Sequence, residues 1–231
     1  MRPGPEQANA TSAKEILRKY VPDFLLKQRS LVSNLGVQAG GTYAKLCLLD
    51  ALGIREPNQR RAPAPVRSLL FVCFGNIMRS AMAESLMKRA LTEAGRQNEV
   101  QVVSAGLHAN PGREAHPWAQ EASANLGLSM AEHRARLLTS DMVALSDCIF
   151  AMDFQNKAEL LTLYPESQEK IFMLSAYGEA PWIGREIADP YMADLETTDA
   201  CARQLEICVR NLMTSMFPSR ASSEQTLPAN P

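Results

Sequence analysis

From Ser68 onward, short apolar runs alternate with amphipathic stripes along this chain. Ser68–Cys73 (SLLFVC) is a nearly continuous apolar run, the pattern of a strand buried on both faces. Ser80–Ala94 follows, with Ala83, Leu86, Met87, Ala90, Leu91 and Ala94 at helical spacing and Gly95 as a stop. The alternation then repeats. It predicts strands over Val100–Ser104, Asp147–Asp153 and Lys170–Leu174, and helices over Ala115–Leu126, Gln155–Tyr164 and Asp199–Phe217. Repeated β–α units require a parallel sheet covered on both faces. The predicted fold is therefore α/β, a four-stranded parallel sheet with helices on both sides. Ligands of such sheets bind beyond the C-terminal ends of the strands, and the first strand ends at Cys73.

Two amphipathic patterns precede this region. Ser12–Gln28 offers Ser12 as a cap, Glu15 three residues on, and Ile16, Leu17, Tyr20 and Leu25 at helical spacing, with Pro22 as an interruption. Thr42–Leu52 carries Leu46, Leu48, Leu49 and Leu52 and ends at Gly53. The stretch REPNQRRAPAPVRS reads as an exposed linker. The predicted organisation is a helical extension over 1–54, a Pro/Arg-rich linker over 55–67, a globular domain over 68–217 and a polar, disordered tail over 218–231.

Composition narrows the class. Of 231 residues 46% are hydrophobic and 21% charged, which excludes global disorder. No apolar run reaches the roughly 18–20 residues of a membrane span, and the start has no apolar signal core, so a cytoplasmic location is expected. Five widely spread cysteines do not form a disulfide framework. No Cys/His cluster has zinc-ligand spacing, so neither a metal nor another cofactor is expected. The net charge of −1 hides an asymmetry: eleven basic against five acidic residues up to Arg67, thirteen against twenty afterwards. Residues 1–67 then have two readings. They pack on their own domain or a second copy, or they dock on an anionic membrane face or acidic partner. Nucleic acid is not an expected partner, and the oligomeric state is left open.

The chemistry concentrates in Cys73-Phe-Gly-Asn-Ile-Met-Arg79-Ser80. A cysteine and an arginine bracket five residues between a strand and a helix N-terminus. Folded as a loop, these residues aim backbone N–H groups at one point, and the helix dipole adds positive potential. Arg79 can grip two phosphate oxygens, and such surroundings favour a thiolate over a thiol. A thiolate under an anion cradle is suited to attack phosphorus. A bare C-x5-R arises often by chance; the preceding strand, Gly75, Asn76 and the Arg-Ser at the helix start give this one its specificity.

FVCFGNIMRSAMAE resembles the active-site loop of the low-molecular-weight protein tyrosine phosphatases. Further pieces occur in the family's order: SAG at 104–106, HRAR at 133–136, AMD at 151–153 and DPY at 189–191. The resemblance covers about residues 68–217 and is to the bacterial members that act on tyrosine autokinases. It implies a protein tyrosine phosphatase working through a cysteinyl-phosphate. Cys73 would be the nucleophile, and Arg79 with the loop amides of Phe74, Gly75, Asn76, Ile77, Met78 and Arg79 would hold the phosphate oxygens. Ser80 would donate to the Cys73 sulfur, Asn76 would hold the loop through Ser104 and His133, and Asp189 would be the general acid and then base. Tyr191 and Asn110 would line the substrate pocket. The sequence departs from the family at Met78, in place of a second cysteine, at Ala81, in place of proline, and at Asn110, near the site of a pocket aromatic that Trp182 could replace.

Two other readings stand beside it. Arsenate reductases share the fold and a similar loop, but need a relay of further cysteines. Cys201 and Cys208 are seven apart on one predicted helix, about 10 Å, too far to bridge. A non-catalytic phosphoprotein-binding module would be expected to have lost Cys73 or Asp189.

Overall fold

The computed structural model describes residues 23–54, 65–180 and 183–218. Its core is a four-stranded parallel sheet of β1 (Ser68–Cys73), β2 (Gln101–Gly106), β3 (Cys148–Ala151) and β4 (Ile171–Met173), in the order β2-β1-β3-β4. Parallel register sets Leu69 opposite Val102 on one side and Cys148 on the other. Strand order reverses at β1, so the crevice at its C-terminal end is a topological switch point.

Alternation along the strands divides the core in two. Leu69 and Phe71 join Cys148 and Phe150 beneath α2 (Arg79–Glu93), α3 (Pro117–Asn125) and α6 (Leu195–Met216). Leu70 and Val72 face the other way with Ile149, Ala151, Ile171 and Met173, under α4 (Ser140–Leu145) and α5 (Phe154–Leu163). Cys201, Leu205, Cys208, Val209 and Leu212 form the buried stripe of α6.

An N-terminal helix, α1 (Asp23–Ala51), is broken at Gly36, whose φ of 83° is a left-handed value natural to glycine. The expected interruption at Pro22, and the Ser12–Glu15 cap, lie outside the described residues. The expected pattern from Thr42 is thus the end of a helix that starts well before it. α1 packs along α5 and contributes Tyr43 and Leu46 to the second core. Most of the expected linker, the tail beyond residue 218 and Trp182 also lie outside the described residues.

Element ends differ from expectation where caps override hydrophobic period. α6 begins at Leu195 rather than 199, because the Asp194 side chain accepts from Thr197 N and starts a polar first turn. The strand expected to reach Asp153 ends at Ala151, because Asp153 caps α5. α4, capped by Thr139, was not predicted. No helix among the described residues is long and apolar enough to cross a membrane.

Candidate active site

The loop from Cys73 to Arg79 joins β1 to α2 at the switch point. Met78, at the helix cap position, supplies no capping side chain, so the opening amides of α2 remain available to an anion. Cys73 Sγ is approached by Asn76 N–H at 3.3 Å and by the Ser80 hydroxyl at 3.0 Å. Ser80 Oγ accepts from Asn76 Nδ2 at 2.9 Å, and its own hydrogen can point at the sulfur or at the Ala105 carbonyl oxygen, 3.4 Å away. Both groups can donate to the sulfur.

Asn76 organises the loop. It is fully buried and holds a φ of 53°, a left-handed value that asparagine tolerates better than most residues. Nδ2 also donates to Ser104 Oγ at 2.8 Å, Oδ1 accepts from Arg136 N at 2.8 Å, and the backbone carbonyl accepts from His133 Nε2 at 2.7 Å. Ser104 in turn donates to Glu84, a buried carboxylate that also pairs with Lys88 and Arg136. Burial pushes the Glu84 carboxyl up, but Lys88, Ser104 and Arg136 outweigh it and hold the group below its ordinary range.

The Arg79 guanidinium is 2% exposed. Nη1 donates to Asp153 Oδ2 at 2.6 Å and to the Ile187 carbonyl at 2.9 Å, and Nη2 donates to Asp189 Oδ2 at 2.7 Å. Burial opposes its charge, but Asp153, the Cys73 sulfur and Asp189 more than offset this, and its pKa is driven further up. The arginine is thus permanently cationic and aimed by two carboxylates.

Cys73, Phe74, Gly75, Ile77, Met78, Arg79, Asn110, Asp189 and Tyr191 line one cavity of about 190 Å³. Ser80, Asn76, Ser104 and His133 stand behind it, as described. The expected residues are therefore gathered at one place. Sequence reasoning gives no role to Asp153, Glu84, Arg136 or the Ile187 carbonyl, although the first three lie within the AMD, FVCFGNIMRSAMAE and HRAR stretches that carry the resemblance. Two further lining residues, His108 and Arg113, carried no signal at all. The His108 ring lies 4.6 Å from that of Phe74, and its Nε2 donates to buried Glu159 at 2.7 Å. Arg113 stands over the Tyr191 ring, which also meets His116 edge-on.

All five cysteines are free. Cys148 lies in β3, and Cys201 and Cys208 are buried in α6, where burial pushes each thiol up to about 12. After burial, the charges of Arg79, Asp189 and Cys73 also act on the Cys201 thiol. Among the described residues, no group of three or more His, Cys, Asp or Glu side chains is placed to hold a metal ion.

An anion cradle at a switch point, with cysteine, arginine and aspartate lining it, is suited to phosphoryl chemistry. The chain belongs to the low molecular weight phosphotyrosine protein phosphatase family, whose model matches residues 68–222. A probable low molecular weight protein-tyrosine-phosphatase, EpsP of Ralstonia nicotianae, is 35% identical over 141 residues, 61% of this chain and 90% of that one. Among solved structures, the Erwinia amylovora tyrosine phosphatase AmsI is 31% identical with a TM-score of 0.60, covering 68% of this chain and 98% of its own. A mutant of the YwlE arginine phosphatase with a phosphorylated active-site serine is 28% identical with a TM-score of 0.60, covering 67% and 98%. The protein is a phosphatase with phosphoprotein substrates.

Proposed function

We propose that this phosphatase hydrolyses phosphotyrosine in proteins through a cysteinyl-phosphate. The observation carrying this reading is Cys73 Sγ at the cavity floor, 3.0 Å from the Ser80 hydroxyl, with Arg79 and Asp189 beside it. Sulfur attacks phosphorus in line, and the P–O bond to tyrosine breaks. Asp189 gives its proton to the departing oxygen, a poor leaving group because phenol has a pKa of about 10. Arg79 and the loop amides hold the three equatorial oxygens. Water then attacks phosphorus, Asp189 takes its proton, and the thiolate leaves with the Ser80 hydroxyl in support.

The lining favours an aryl group. Phe74, Ile77 and Tyr191 offer apolar and aromatic surface, suited to a tyrosyl ring. Arg113 on the same wall disfavours the cationic guanidinium of phosphoarginine. The likeness to an arginine phosphatase nevertheless makes phosphoarginine the second reading. A bacterial tyrosine autokinase, as the family resemblance suggests, is a substrate of the favoured class.

Phosphate release from phosphotyrosyl, phosphoseryl and phosphoarginyl peptides, alongside thiol-dependent arsenate reduction, tests this directly. Phosphotyrosine should be turned over fastest. Cys73→Ser should bind phosphate but not turn over. Asp189→Asn should slow phenyl phosphate more than nitrophenyl phosphate, whose leaving group needs its proton less. Faster phosphoarginine hydrolysis, or normal turnover by the serine variant, would overturn the assignment.

A further inference from the structure

Helix α1 lies outside the residues matched by the family model, yet it packs on the helix that holds the site together. Ala39, Tyr43 and Leu46 are its buried stripe, and Tyr43 and Leu46 share a core with Phe154, Ala158 and Leu160 of α5. The opening of α5 is the mechanical junction of the active site. Asp153 caps the helix through Oδ1, accepting from Asn156 N at 2.6 Å, while its Oδ2 holds Arg79. The next residue, Phe154, donates its N–H to Glu186 at 2.9 Å. The preceding one, Met152, accepts from Ile187 N at 2.8 Å, and the Ile187 carbonyl is itself bound by Arg79. Residues 152–154 therefore fasten the segment 186–187, two residues before Asp189, and clasp Arg79 from behind.

We propose that α1 is a built-in brace of the active site, with Tyr43 and Leu46 as positioning residues that hold the start of α5 through their packing. This rests on the phosphatase reading above. Tyr43 is 5% exposed and packs in the same core as Phe154, the residue that follows Asp153. Burial first, then Cys47, Glu186 and Asp153, drive its pKa upward, so the phenol stays protonated and presents a dipole rather than a charge. Leu46 adds packing without polarity. If α1 loosens, the start of α5 and the segment carrying Asp189 shift together. A misplacement of about 1 Å at a reacting group can cost on the order of a hundredfold in rate.

The test uses the full chain with Tyr43→Ala, Leu46→Ala and, on the outward side of the same helix, Leu48→Ala, where Leu48 is 60% exposed. Each is measured for kcat across aryl phosphates of differing leaving-group basicity, for phosphate binding by calorimetry, and for Tm. Tyr43→Ala and Leu46→Ala should lower kcat by about three- to tenfold. The loss should be greatest for the most basic leaving groups, where Asp189 matters most, and phosphate binding should weaken as Arg79 drifts. Leu48→Ala should change nothing. Unaltered leaving-group dependence and phosphate affinity in the first two variants, whatever their Tm, would reduce α1 to a cover for the core and overturn the brace. A wild-type protein that hydrolyses no aryl phosphate would overturn the functional reading instead, and phosphate binding by the variants would then decide the brace alone.

Discussion

Asn76 shows how much one residue can hold. Its amide bonds to Ser80, Ser104 and Arg136, its carbonyl takes His133, and its N–H reaches the Cys73 sulfur. Asn76→Ala would leave buried partners unmatched and place a Cβ-bearing residue, without asparagine's tolerance, at a φ of 53°. We expect a loss of about 3 kcal/mol or more in urea unfolding, together with loss of turnover. Asn76→Gly removes the same bonds but adopts that backbone freely, so it should be about 1 kcal/mol more stable than the alanine variant; equal stabilities would show that the left-handed conformation carries no cost. Glu84 gives a pH-dependent counterpart. Its carboxyl is held below the ordinary range, so its contribution is present above the unfolded value and lost as pH falls through the folded one. Glu84→Gln should cost about 1–3 kcal/mol at pH 7, with the gap in Tm from wild type closing as the pH is taken down through and below the ordinary carboxylate range. A gap independent of pH would mean that shape, not charge, holds Ser104 and Arg136.

Between elements, the end of β2 meets the cradle without room to spare. A Cβ at Gly106 would lie 2.7 Å from the Phe74 carbonyl oxygen and 2.8 Å from Asn76 N, both backbone atoms. Gly106→Ala should therefore fold with a displaced loop, losing phosphate affinity and most turnover while the far-ultraviolet spectrum stays native; unchanged kinetics would mean that the loop can yield. This contact also marks the limit of what the sequence discloses. β1, α2 and the order of β–α units were legible, because buried strands and a striped helix leave strong local periodicity. Cys73 and Arg79 were legible for the same reason, being seven residues of one loop. The polar first turn of α6 and the short α4 were hidden, because their caps at Asp194 and Thr139 leave little apolar pattern. Asp153, Glu84 and Arg136 were hidden more deeply. Asp153 meets Arg79 across 74 residues and Arg136 meets Glu84 across 52, and only the folded sheet gives such carboxylates and guanidinium groups their roles. Asp189, 116 residues beyond Cys73, was reached through the family resemblance alone.

Across the whole molecule, the sheet's switch point sets the cradle in one face while the cysteines other than Cys73 are dispersed. Oxidation of Cys73 by peroxide gives a sulfenic acid and releases water; a disulfide then needs a thiolate within reach. Met78, on the cavity wall beside Arg79, has a thioether that cannot serve. Cys201 is the cysteine whose pKa is influenced by Cys73, yet burial pushes it up to about 12, leaving on the order of one molecule in 10⁵ as thiolate near pH 7. Cys148 and Cys208 are pushed to the same level by the same cause. Peroxide should therefore carry Cys73 on to sulfinic acid, with poor recovery when thiol is added later. Phosphate should protect by filling the cradle above the sulfur, and glutathione present from the start should preserve activity by capping the sulfenic acid. Met78→Cys places a thiol in the same loop and should restore recovery. Mass spectrometry after peroxide treatment decides the matter: an intramolecular disulfide between Cys73 and Cys201 with full recovery of the native protein would show that α6 can open far enough to defend the site, and that the buried thiol is not inert.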